Sequence, residues 1–286
     1  MRLVRFPLSG LAVVAAWLAL APAAFAQQRP LTTEDAEPIG AGRVLIEGGI
    51  DFGANQEYPV SGLKGDLWRL PTVGISVGLS SIAEFQIDGG FFNLLHIDER
   101  RPAPLSSLLT ATGNSTHDVE DFVVATKIRV VSETGGRPAL GLRFATKLPN
   151  ASNESGLGLD TTDFFISLLA GKTTQSIRIV GNVGVGILGD PTNGNRQNDV
   201  LTYGLSLARA LTQQTEIVGE VNGRWSTRKG EPFPGTESRG IFRAGGRYTH
   251  GPVRVDAGVL VGLTSVDPTF GFTAGFTYVF NAFTLP

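Results

Sequence analysis

The chain has 286 residues, no cysteine and a formal charge of −2. Lack of cysteine excludes disulfides, thiolate metal sites and a lipidated N-terminal cysteine, and the charge balance gives no basic footprint for nucleic acid. Glycine is 37 of 286 residues, about 13% against a usual ~7%. It is spread along the chain, and glycine inside strands marks bends and close backbone approach.

Residues 1–26 read as a signal peptide. Arg2 and Arg5 form a positive start, Leu11 to Leu20 an apolar core, and Ala24-Phe25-Ala26 a cleavage site. Removing them leaves 22 basic against 26 acidic residues. No later stretch approaches the ~18 apolar residues of a spanning helix. Residues 27–42, QQRPLTTEDAEPIGAG, are polar and proline-containing. They read as an extended periplasmic lead-in.

From residue 43 to residue 280 the pattern changes to strict alternation, the period of a strand with two unlike faces. Twelve such segments follow. The first carries Val44, Ile46, Ile50 and Phe52 on one face, with Glu47 and Asp51 on the other. A loop is expected over 53–64. The second spans about 66–79 with Val73, Ile75 and Val77 outward; that parity turns Trp68 inward. The third sets Glu84, Gln86 and Asp88 against Phe85, Ile87 and Phe91. A long polar loop is expected over 94–117. Segments four to eight repeat the pattern over about 118–131, 139–148, 160–170, 174–188 and 199–211. They put Lys127, Arg129, Arg143, Lys147 and Arg178 on the inner face. Trp225, in the ninth segment (about 215–226), has outward parity. The tenth and eleventh span about 238–249 and 253–263.

The twelfth segment, Pro268 to Phe280, is the clearest. Phe270, Phe272, Phe276, Tyr278 and Phe280 share one face, and Thr269, Thr273 and Thr277 share the other. No helix is available to cover an aromatic face of this kind, so lipid is its expected partner. The fold class expected is an all-β, transmembrane antiparallel barrel of about 12 strands. Long outer loops alternate with short periplasmic turns, and the even count returns both ends to one side. Tyr278 and Phe280 resemble the terminal aromatic signal read by the barrel-assembly machinery, with a tail over 281–286 after it.

Several stretches carry a family resemblance: RPLTTEDAEPIGAGRVLIEGGIDF (Arg29 to Phe52), LWRLPTVGISVGLSSIAEFQIDGGFFN (Leu67 to Asn93), DVEDFVVATKIRVV (Asp118 to Val131) and Leu148-Pro149. With these the chain resembles a family of bacterial outer-membrane barrels named for the MetA pathway of phenol degradation, or simply as transporters. The resemblance spans nearly all of the chain after residue 26. It implies an outer-membrane location in a Gram-negative bacterium and a link with aromatic catabolism. It brings no catalytic residues.

The expected function is a channel or uptake barrel for small solutes, aromatic or hydrophobic compounds among them. The alternatives are a lipid-modifying enzyme at the rim and a structural barrel with a plugged lumen. An enzyme needs a nucleophile beside a base. His96 and His117 flank the second outer loop near Ser106, Ser107 and Ser115, but no nucleophile elbow or paired acid accompanies them, so no enzyme is expected. The Asn- and Asp-rich stretches at 150–154 and 190–199 lack the spaced carboxylates of a calcium loop, and no cofactor is expected. Expected partners are outer-membrane lipid, lipopolysaccharide, the assembly machinery and a small solute.

The lumen-facing charges are the candidate solute contacts. In the tenth segment Arg239, Arg243 and Arg247 recur every four residues, so they share a face. Mid-bilayer lipid would cost an arginine ~2–4 kcal/mol, which turns that face inward. Glu216, Glu220 and Arg224 recur likewise in the ninth segment. Pairing residues that sum to 463 sets Glu216 beside Arg247, Glu220 beside Arg243, and Arg224 beside Arg239. The last pair lacks an acid within the hairpin: either these charges simply solvate a water-filled lumen, or the pair attracts anionic solutes such as aromatic carboxylates. Arg178 and the inward-parity Trp68 complete the candidate set.

Overall fold

The computed structural model describes residues 29–284. The signal-peptide reading falls on residues outside these. Fourteen strands form one sheet. They are β1 (Arg43–Tyr58), β2 (Leu63–Gly78), β3 (Ala83–Gly90), β4 (Asn93–Arg100), β5 (Ser115–Asp118), β6 (Val123–Val131), β7 (Ala139–Lys147), β8 (Asp163–Thr174), β9 (Ile177–Gly189), β10 (Gln197–Ala210), β11 (Thr215–Ser226), β12 (Arg239–His250), β13 (Val253–Gly262) and β14 (Phe270–Asn281).

Twelve of these close into an antiparallel barrel. β1 pairs with β2 on one side and β14 on the other, β2 with β3, and β3 with β6; each later strand pairs with its successor. β4 continues the line of β3 after a break at Phe91-Phe92 and stays paired to β2, with β5 beside it. Of the two segments read as loops, 53–64 is largely strand, and 94–117 keeps a loop only over 101–114 between β4 and β5. β1, β2, β4 and β5 extend the wall upward past the barrel proper, and their outward residues are too polar for the membrane pattern to reveal them.

The burial pattern is inverted relative to a soluble protein. Lys127, Glu84 and Thr277 are 0% exposed, while Phe164 is 54%, Leu205 56% and Trp225 67% exposed. Such an outer surface is stable only against lipid, and the polar residues belong to the lumen.

The β11–β12 register matches the sum of 463 throughout: Glu216 faces Arg247, Glu220 faces Arg243 and Arg224 faces Arg239. Trp68 is a correction. Gly49 lies opposite Thr72 but Asp51 lies opposite Arg69, so β2 carries an extra residue at Leu70-Pro71. Proline cannot donate to the ladder, and a bulge there reverses the parity above it. Trp68 therefore points outward, 4.8 Å from the Phe52 ring and 5.6 Å from that of Phe272.

The stretch from Arg29 to Gly42 is the second correction. It does not lie outside the barrel. It runs round the inner wall as a belt, and its contacts name the strands it passes. Ile39 donates its amide to Glu84 of β3 at 2.6 Å. Glu37 pairs with Arg129 of β6. Asp35 pairs with Arg178 of β9 at 2.5 Å. Thr32 and Thr33 bind Glu220 of β11. Arg29 reaches Thr72 of β2, Thr273 of β14 and Asp256 of β13. Inward glycines make room for it: a Cβ at Gly49 would lie 2.2 Å from Arg29 Nη2, and one at Gly275 would lie 2.5 Å from Arg29 Nε.

Candidate functional site: the lumen

The lumen divides at the belt. Below and around it, each belt acid meets a wall cation. Glu34 lies 3.1 Å from Arg143 and 3.4 Å from Lys127, and Lys127 is also 2.9 Å from Glu84. Asn182 locks the same point, accepting the Glu34 amide and donating to its carbonyl, each at 2.7 Å. Lys127 is fully buried, so its charge is tolerable only with both carboxylates beside it. Arg178 belongs to this lower network. It also pairs with Glu133 in the turn after β6. Burial there opposes the Glu133 charge, but the Thr173 amide and the Arg178 guanidinium outweigh it and hold the carboxyl below its ordinary value.

Glu220 is the chief clamp on the belt. It accepts both amides of Thr32 and Thr33 at 2.8–3.0 Å, their hydroxyls at 3.1 and 2.7 Å, and Arg243 Nη1 at 2.9 Å. Arg247 donates to the Arg29 carbonyl at 2.6 Å and stands 3.8 Å from Glu216, which is also 3.6 Å from Arg254. The charges on β11 and β12 thus hold the belt as well as each other.

Above the belt lies a cavity of about 620 Å³. Its floor and walls carry Arg69, Lys147, Arg224, Arg239 and Arg243. Its roof is formed where three connections converge. The β1–β2 tip donates from Ser61 Oγ to the Gly156 carbonyl at 2.8 Å. Gly156 lies in the β7–β8 loop. Gly235 of the β11–β12 loop sits against Val60 and Leu159. Beneath the roof Leu63, Leu67, Leu95 and Ile97 form an apolar cluster with Tyr58, Leu109 and Leu157 packed on it. A second cavity of about 390 Å³ lies against the belt and shares Asp51, Arg69, Val123, Arg243 and Leu260 with the first.

The fold is that of a bacterial outer-membrane barrel. It is similar to the COG4313 outer membrane channel from Pseudomonas putida F1, with a TM-score of 0.61 and 12% identity over 87% of this chain and 100% of that one. It is also similar to the NanC porin, with a TM-score of 0.51 and 6% identity over 82% of this chain and 98% of that one. At such identities the likeness carries the architecture. No protein-family profile and no curated protein matches the sequence.

The structure brings Arg224, Arg239 and Arg243 into the upper cavity. It places Glu216, Glu220, Arg247 and Arg178 on the belt side, and Trp68 on the outer surface. Sequence reasoning missed Arg69 and Lys147 as cavity residues. Arg69 was hidden by the bulge that misplaced Trp68. Lys147 was read as inward but not linked to the arginine pair. At the rim, His96 stands opposite Ser115 in register, and His117 lies 5.4 Å from the Phe92 ring. Among the described residues neither histidine hydrogen-bonds a serine or an acid.

Proposed function

We propose that the chain is an outer-membrane channel for small solutes, with the upper cavity receiving the solute and the belt narrowing the path below it. One observation carries this reading. A barrel with an apolar outer surface encloses two adjoining cavities of about 620 and 390 Å³ lined by charged groups. A structural barrel with a filled lumen has no need of either. The likeness of the architecture to a bacterial channel and a porin supports it. The family resemblance adds aromatic compounds as the solutes to try first. In this reading the short turns and both termini face the periplasm, and residues 1–26 are the removed leader.

The test is single-channel recording of the full chain in planar bilayers, with swelling of liposomes in sugars, amino acids and aromatic acids. Discrete conductance steps and swelling are expected. Silence in both assays from a folded barrel would favour a plugged structural role, and release of fatty acid from added lipid would favour the rim enzyme.

A further inference from the structure

The upper cavity contains one cation, Arg224, that forms no direct ion pair among the described residues. Arg224 and Arg239 are register partners and both line the cavity. Directly opposed side chains on an antiparallel pair have Cβ atoms ~4.5–5.5 Å apart, so the two guanidiniums share one patch of wall. Among the described residues Arg224 forms no ion pair. It donates instead to the carbonyls of Glu237 and Gly235, each at 2.9 Å. Two carbonyls orient the guanidinium without cancelling its charge, and its Nη1 has no protein acceptor among the described residues. Arg239 is only loosely matched. Its Nη1 is 3.7 Å from Asp267 Oδ1, while Asp267 Oδ2 accepts the Gly240 amide and the Thr264 hydroxyl.

The other cations of the cavity are satisfied. Arg69 pairs with Asp51 and Glu120. Lys147 pairs with Asp121 and Asp163 at 3.0 and 3.1 Å. Arg243 pairs with Glu220. Positive charge in excess is therefore concentrated at one place, the upper end of β11 and β12. Other parts of the cavity wall are apolar and include Tyr58, Leu67, Leu157, Leu159 and Leu260.

We propose that this cavity binds an organic acid with an apolar body, an aromatic or branched aliphatic carboxylate, whose carboxylate lies between Arg224 and Arg239. The proposal rests on the channel reading and names the solute class. Two adjacent like charges in a partly enclosed site repel, and one anion set between them relieves both. A guanidinium fork matches a carboxylate in geometry as well as sign. The apolar residues select against small inorganic anions, which would gain nothing from them, and against sugars, which would leave Tyr58 and the leucines facing hydroxyls.

The test is calorimetric binding to the full chain folded in detergent, with benzoate as probe. Benzyl alcohol serves as the uncharged analogue, and acetate as the acid without a body. Benzoate is expected to bind at least about tenfold more tightly than either, given the strength of buried charge-assisted hydrogen bonds. The double change Arg224→Gln with Arg239→Gln should weaken benzoate by about tenfold or more while leaving benzyl alcohol unchanged, with heat-modifiable gel migration reporting that the barrel is formed. Equal binding of benzoate and benzyl alcohol to the unaltered chain would overturn the proposal without any variant. So would benzoate affinity unaffected by the double change. Conductance separates the two readings. A chain that conducts but does not bind benzoate loses the site and keeps the channel. A chain that binds benzoate but never conducts keeps the site and loses the channel.

Discussion

Glu220 gives the sharpest test of how the belt is held. Its carboxylate gathers two amides and two hydroxyls from Thr32 and Thr33. Glu220→Ala removes all four acceptor contacts at once. Thr33 is buried, so its stranded amide costs about 1–3 kcal/mol. Thr32 is exposed to the cavity and its amide takes up water at less cost. Arg243 loses its acid but keeps Asn222 Oδ1 at 2.9 Å and faces both cavities, where water can screen it. The belt's share of the loss is about 2 kcal/mol, and at 1.4 kcal/mol per factor of ten it raises the released population roughly thirtyfold. Hydrogen exchange followed by mass spectrometry, in detergent, reads this directly. The peptide covering residues 29–40 should exchange about thirtyfold faster, with β11 and β12 unchanged. Single-channel traces should show added openings or noise. The competing view, drawn from the hairpin alone, is that Glu220 braces the wall against Arg243. On that view β11 and β12 would exchange faster together with the belt. That result, or unchanged exchange over residues 29–40, would refute the clamp.

Two further outcomes are expected. Lys127→Met leaves the Glu84 and Glu34 carboxylates buried without their shared cation, and removing one member of a buried charge network costs about 3–5 kcal/mol; the urea midpoint in vesicles should fall accordingly, and adding Glu84→Gln should restore part of it. On β14 two phenylalanines separate packing from recognition. Phe272 packs against Phe52 at 5.3 Å and Trp68 at 5.6 Å, whereas among the described rings Phe280 stacks on Tyr278 alone, at 5.4 Å. Phe272→Ala should therefore lower urea stability more, and Phe280→Ala should slow assembly in cells more. If Phe280→Ala assembles as fast as the unaltered chain, the aromatic end is not an assembly signal.

The parts of the fold legible in the sequence are those where lipid imposes a sign on each face. Arg239, Arg243 and Arg247 could not face hydrocarbon, so β12 had one admissible orientation, and the Glu216–Glu220–Arg224 spacing then fixed its register with β11. Trp68 was misplaced because parity counting assumes an unbroken ladder, and one extra residue at Leu70-Pro71 reverses everything above it. The belt escaped for a different reason. TTEDAEP has neither alternation nor an apolar face, so nothing in its own pattern distinguishes a segment inside a lumen from one in water. The signal lay in the walls. Lys127, Arg129, Arg143 and Arg178 all face inward, while the inward acids near them on the same strands are fewer. Glu34, Asp35 and Glu37 are the missing partners, and they meet Arg143 with Lys127, Arg178, and Arg129 in turn. Arg224 stands apart from these pairs. Once the belt has taken up the lower cations and Glu120, Asp121 and Asp163 the upper ones, one guanidinium on the wall is left donating directly to carbonyls and to no carboxylate among the described residues. If the barrel conducts, an inward cation that forms no ion pair among the described residues, beside an apolar roof, is where an anionic solute is expected to bind.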